Sequence, residues 1–303
     1  MATDERTPHN GGGLRFVESD GRSITVWWHC RGPALHRDAN SHRGIALSTV
    51  SKENRCMPRR FKTGTCIHCG VPSEELTGDH VFPESWYPDS TPLDLEKWQA
   101  PSCKSCNEGY GRLERTLFLK LAMGLEPWTV GAEGIAERAL RSFDPRTAKN
   151  ENDRKHREGA REKVRRSIVN VSAVSFTEPI LPNIGTIHSS GDQGYSIEIV
   201  PQADLHRLIG KFVRGISYLA TGGVLAPEYV IRVIPLMHSD RLPQHLLESP
   251  ATVFERGPGF RVERHGTCDD RFAALFRIQF WGRYEFFATV WLAELEKSGA
   301  MAG

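Results

Sequence analysis

Two cysteine pairs constrain this chain more than any other feature: Cys66-Ile-His-Cys69 and Cys103-Lys-Ser-Cys106, with residues 70–102 between them. Each C-x-x-C knuckle can present two thiolates at tetrahedral angles to one ion, and two knuckles together complete a four-thiolate zinc site. Such a site is closed, with no coordination position left for substrate, so its Zn²⁺ is structural and adds folding energy where a core is thin. His68 lies inside the first knuckle and could replace a thiolate only by leaving Cys66 or Cys69 idle. Cys30, Cys56 and Cys268 stand alone and read as buried or free thiols.

The cysteine count also bears on compartment. Seven is an odd number, and the first dozen residues, MATDERTPHNGG, lack the apolar stretch of a secretory signal. A reducing, cytoplasmic setting follows, in which paired cysteines ligate metal rather than form disulfides. The longest largely apolar run, Phe286 to Ala293, is too short to span a bilayer, so no membrane partner is expected. With 39 Lys and Arg against 37 Asp and Glu, global charge names no partner, and only local clusters can.

Between the knuckles stands Gly78-Asp79-His80-Val81-Phe82-Pro83, and Asn107 directly follows the second knuckle. The order CxxC, DH, CxxCN resembles the zinc-knuckle members of the HNH, or ββα-metal, endonuclease superfamily. The resemblance covers roughly residues 64–115 and is specific in combination, whereas a DH pair alone means nothing. It implies a hairpin whose first strand ends at the DH pair, and a helix that begins near Asn107. It further implies that His80 is the general base, that Asp79 and Asn107 hold a catalytic Mg²⁺ or Mn²⁺, and that Cys66, Cys69, Cys103 and Cys106 take the Zn²⁺. DNA is the implied substrate, with RNA left open.

The chemistry of these residue types agrees. Phosphodiester hydrolysis needs an activated water, and neutral imidazole, with an ordinary pKa of about 6.5, suits that task near neutral pH. A carboxylate plus an amide oxygen leave most of an octahedral Mg²⁺ shell for water and phosphate. Adjacent strand residues point to opposite faces, so Asp79 and His80 meet at one metal only if the strand bends or ends there. The helix lacks the terminal His of the commonest family pattern. Glu114, seven residues past Asn107 and so about 10 Å along a helix axis, reads as an outer or solvated group. The rival reading keeps the knuckles but makes the DH pair a turn carboxylate and a satisfied imidazole, in a zinc module that only binds nucleic acid or a protein.

Around this core the sequence divides into an N-terminal extension (1–53), a zinc-knuckle module (54–128) and a C-terminal domain (129–303). The class is α+β: a zinc-stapled ββα-metal module with an α+β C-terminal domain, which would serve target choice or homodimer formation. Residues 1–13, ending in three glycines, read as disordered, and Ser23 to Trp28 as a strand. Leu113, Leu117 and Leu121 mark one helix, and residues 131–167 a helical stretch. Within it, Arg146 to Arg166 holds nine Lys and Arg against four acids, as a solvated or a phosphate-facing surface. YSIEIV at 195–200 alternates like a strand, and Leu205, Leu208, Ile209, Phe212, Ile216 and Leu219 mark a further helix. That helix carries Arg207, Lys211 and Arg214 on a face read as solvated. AALFRIQFW and YEFFATVWL are expected to form a hairpin across a two-residue turn at Gly282-Arg283. Basic side chains suited to a nucleic-acid backbone cluster at Arg55, Arg59, Arg60 and Lys62, and Tyr110, Arg112 and Arg115 sit near the start of the first helix.

Overall fold

The structure, a computed structural model, describes residues 61–125, 128–170, 200–234 and 250–293, and the backbone of strands at 11–17, 23–29, 186–188 and 195–198. Arg55, Arg59, Arg60, Cys30 and Cys56 lie outside the described residues. Strands β1 (Gly11–Val17) and β2 (Ser23–His29) pair antiparallel. Glycines 11–13 therefore belong to a strand rather than to a disordered tail. They are paired with His29, Trp28 and Trp27, on a partner strand whose β-branched and aromatic residues supply the propensity that glycine lacks.

The knuckle region follows as two short pairs. β3 (Gly64–Thr65) and β4 (Pro72–Ser73) flank the first knuckle. β5 (Leu76–His80) and β6 (Gln99–Cys103) form a hairpin in register from Leu76 opposite Cys103 to His80 opposite Gln99. Helix α1 (Lys104–Met123) leaves directly from the end of β6 and buries Leu113, Leu117 and Leu121, the residues whose spacing marks it in sequence. The stretch expected to be helical at 131–167 is two helices, α2 (Ile135–Ser142) and α3 (Glu151–Ser167). Pro145 lies between them in a short turn of helix, where Asp144 accepts from the Arg146 backbone N–H. Along α3, Arg154 pairs with Glu151, Arg157 with Asp153, and both Arg165 and Arg166 with Glu162. The four acids of this stretch, Glu158 with Arg154 included, are thus all paired at helical spacing on the surface, where such pairs contribute little stability, and the excess of positive charge stays unmatched within it.

From residue 202 on, a helix and the strands after it pack against α1 as a cover, following a small sheet. β7 (Ile168–Asn170), β8 (Thr186–His188) and β9 (Tyr195–Glu198) make a small sheet in the order β7-β9-β8. Helix α4 (Gln202–Thr221) comes next, and then β10 (Tyr229–Ile234), β11 (Thr252–Glu255), β12 (Phe260–Gly266), β13 (Ala274–Phe280) and β14 (Tyr284–Leu292). These five form one antiparallel sheet in the order β10-β14-β13-β12-β11. The whole is a mixed α+β arrangement, and among the described residues no helix is long and apolar enough to cross a membrane.

One hydrophobic cluster runs from Ile67 in the first knuckle to Val290 in β14, so the core has no break near residue 128. Its centre is aromatic: the fully buried Trp86 ring lies against Phe118, Phe212, Phe280 and Trp281. Helix α4 comes close to the hairpin because residue 215 is glycine. A Cβ there would sit 2.7 Å from Val81 Cγ1, inside any permitted contact, and Val81 immediately follows His80.

The hairpin of β13 and β14 forms as expected, but its turn lies one residue earlier. Trp281 and Gly282 both have positive φ, 55° and 62°, and Arg283 N–H donates to Phe280 O at 3.3 Å. Phe280 then pairs with Tyr284, leaving Arg283 as an extra residue. The left-handed conformation is unfavourable for a tryptophan, yet it turns the Trp281 ring into the core, fully buried, with Nε1 donating to Trp86 O at 2.8 Å. Trp86→Ala should lower stability by about 3–5 kcal/mol through the cavity it leaves, read as a fall in the urea midpoint with little change in slope. A loss of less than about 1 kcal/mol would show that this aromatic centre is not a close-packed core.

Candidate functional site

The first knuckle is a tight loop: Gly70, at φ 71°, donates its N–H to Cys66 O at 2.9 Å, and Cys66 N–H donates to Val71 O at 3.1 Å. The second knuckle spans a strand end and a helix start, since Cys103 is the N-cap of α1 and Cys106 lies in its first turn. Across the hairpin the four Sγ atoms of Cys66, Cys69, Cys103 and Cys106 come within 4.8 Å of one another. A tetrahedral zinc with Zn–S of about 2.3 Å requires sulfurs roughly 3.8 Å apart, so the four can hold one such ion after small adjustment. Burial pushes the Cys66 thiol up, but the backbone N–H groups of Cys103, Cys69 and His68 outweigh it and bring the thiol down to about 7. The His68 N–H contributes to Cys66 Sγ at 3.4 Å. That preference is confined to Cys66, since burial and the neighbouring thiols push Cys69 and Cys106 up.

His68 is not a fifth candidate for that ion. Its Nε2 donates to Asp79 Oδ2 at 2.8 Å, on the far side of the knuckle, and its ring lies 4.4 Å from that of Tyr110.

His80 ends β5, as the sequence pattern implies. Alternation along the strand places Leu76, Gly78 and His80 on one face and Thr77 and Asp79 on the other. On the His80 face, the Gln99 side chain crosses from β6 and lies over Gly78. A Cβ at residue 78 would meet Gln99 Oε1 at 2.4 Å, so glycine there makes room for it. The Gln99 amide reaches His80 Nε2 at 3.0 Å and fixes the ring through that nitrogen. As placed, the amide nitrogen donates and the ring proton sits on Nδ1; with the amide turned over, Nε2 carries the proton and Nδ1 is the basic atom. Burial holds the His80 pKa below its usual value, with Glu84 and Asp79 opposing, so the ring is neutral at pH 7 and able to accept a proton.

Asp79 faces the other way, into a closed pocket. It is 6% exposed, and its Oδ1 accepts from Lys211 Nζ at 3.0 Å while its Oδ2 accepts from His68. Lys211 belongs to α4, is 1% exposed, and also pairs with Glu114 of α1. Tyr110 closes the pocket, its ring 5.8 Å from Lys211 Nζ. The face of α4 read as solvated thus carries a buried, doubly paired lysine, and Glu114, read as an outer or solvated group, is its second partner. Neither His68 nor Lys211 is marked as functional by its local sequence. The readable signal is positional: Lys211 stands one turn before Gly215, and that stripe of α4 lies against Asp79 and Val81. Burial raises the pKa of Asp79, but the His68 hydrogen bond and the Lys211 charge outweigh it and hold the carboxylate below its ordinary range. Glu114 is pushed up by burial, against the pull of Lys211.

Asn107 sits in the first turn of α1 on the Thr77 and Asp79 side of the hairpin, and its Nδ2 donates to Thr77 Oγ1 at 2.9 Å. The helix start is therefore tied to the strand, and Asp79 and Asn107 share a side while His80 faces away. These residues, as arranged, do not fit the Mg²⁺ or Mn²⁺ site that the family resemblance implies. Both Asp79 oxygens are committed, one of them to a cation, and the buried carboxylate leaves no room for the several waters Mg²⁺ keeps. Comparison with protein-family models, with curated proteins and with solved structures finds no match.

The histidine pKa directions set a pH dependence. His68 and His80 are both held below their unfolded value of about 6.5, chiefly by burial. The folded chain therefore refuses protons that the unfolded chain accepts, and stability present above pH 6.5 is lost as pH falls toward the folded values. Thermal unfolding with zinc present should show a falling midpoint from about pH 7 to pH 5.5, with a shallower slope in His80→Gln. Identical slopes in the two proteins would remove His80 from this account.

Proposed function

We propose that the chain is a zinc-stapled HNH-type nuclease that hydrolyses phosphodiester bonds in DNA, with His80 as general base. The observation that carries the reading is the hairpin-and-helix arrangement around the four-thiolate cluster. It places a neutral imidazole at the end of the first strand and an asparagine at the start of the following helix. In this reading the Gln99 amide is turned over so that its oxygen accepts from His80 Nε2–H and holds the ring, and His80 Nδ1 takes a proton from water as the water attacks phosphorus in line. The 3′-oxygen leaves, and the products carry 5′-phosphates. Arg207 and Arg214 beside Tyr110 supply positive charge for a polyanion on the Asp79 side of the hairpin, while Lys97 near His80 is paired with Glu84. Zn²⁺ would be held by Cys66, Cys69, Cys103 and Cys106, where it supplies no chemistry beyond fixing the module.

One observation favours a second reading, a zinc module that binds nucleic acid without cutting it: Asp79 is engaged by Lys211 and His68 rather than free for a reaction. Nicking of supercoiled plasmid by the wild-type protein and by His80→Ala, each with Mg²⁺, with Mn²⁺ and with EDTA, separates the two. The nuclease reading expects cutting by wild type and a loss of about 10²–10⁴-fold in the variant at unchanged zinc content. Equal cutting by both would remove His80 as the base, and tight DNA binding without cutting of plain, modified or branched substrates would establish the second reading instead.

A further inference from the structure

The pocket behind β5 holds an arrangement that neither the zinc site nor the proposed base uses: two carboxylates and one ammonium drawn from three separate elements, with Asp79 and Lys211 buried and Glu114 partly buried. Asp79 comes from β5, Glu114 from α1 and Lys211 from α4. Lys211 is 1% exposed and touches both carboxylates, and both oxygens of Asp79 are used. We propose that Lys211 is a built-in cation occupying the place of a divalent metal between Asp79 and Glu114, and that the native chain consequently binds no Mg²⁺ or Mn²⁺ there.

With His68 neutral, the pocket carries two negative charges and one positive, and the ammonium lies where it meets both carboxylates. A divalent ion added to this set would face Lys211 at close range in a medium that screens poorly, and would have to displace it from Asp79. Removing the ammonium reverses the balance: a buried and a partly buried carboxylate then share the pocket with no cation, which is the condition that draws in a hard divalent ion. The inference does not depend on whether the protein cleaves DNA, and its test reads metal binding directly.

The test is Mn²⁺ titration followed by electron paramagnetic resonance, on zinc-replete full-length protein, for wild type, Lys211→Ala, Asp79→Asn and the Lys211→Ala, Asp79→Asn double variant. Wild type should show no binding that Asp79→Asn removes. Lys211→Ala should bind one Mn²⁺ at least about tenfold more tightly than wild type, because the repelling charge is gone and space is opened, and the double variant should lose that gain. Mn²⁺ binding to wild type that Asp79→Asn abolishes would overturn the proposal. So would a folded Lys211→Ala protein that binds Mn²⁺ no better than wild type. If Lys211→Ala does not fold, the wild-type arm still decides the central point, and Lys211→Met, which keeps the aliphatic stem, replaces it in the second arm.

Discussion

The module depends on one constraint, the meeting of four sulfurs from two distant knuckles. Strands β5 and β6 are five residues each, and an isolated pair of that length has little stability of its own in water. A metal held by Cys66, Cys69, Cys103 and Cys106 would fix the loop before β5 against the end of β6 and the first turn of α1. The hydrogen bond from Asn107 to Thr77 then ties the helix to the hairpin a second time. His80 stands at the far end of the strand that such a clamp would order, with its ring held by Gln99 across the hairpin.

A second constraint joins that module to the rest of the chain. Lys211 of α4 reaches Asp79, and Gly215 one turn later lets α4 lie against Val81. Ion pairs buried this deeply seldom add net stability over apolar packing, but losing one partner costs on the order of 3–5 kcal/mol because it strands a charge. The triad therefore acts on position: α4 satisfies these charges only when its docking against β5 and α1 is right. Trp281 in the β13–β14 turn does related work through its bond to the Trp86 carbonyl. Since the hydrophobic cluster also runs unbroken from Ile67 to Val290, the module shares its core with its cover.

Some of this is legible in the sequence and some is not, for physical reasons. The knuckles, the hairpin between them and the helix after them can be read because ligand spacing and leucine periodicity are local patterns. The same holds for α4 and for the aromatic strands β13 and β14. The position of the turn between those strands is missed because Gly282-Arg283 looks like an ordinary two-residue loop, while long-range burial of Trp281 moves the turn by one residue. Lys211 is missed for a similar reason. A lysine on an amphipathic helix reads as solvent-facing, and only a carboxylate 132 positions away in the chain makes it interior. Asp79 is placed correctly at the end of β5, but its partner is this ammonium, and no short motif carries that information.

The most direct test of the whole account is X-ray absorption at the zinc edge of the purified protein, together with its zinc content. The account predicts one zinc per chain, bound by four sulfurs at about 2.3 Å with no nitrogen or oxygen ligand. A shell that includes a nitrogen near 2.0 Å, or a folded protein without stoichiometric zinc, would contradict the four-thiolate clamp on which the placement of His80 rests.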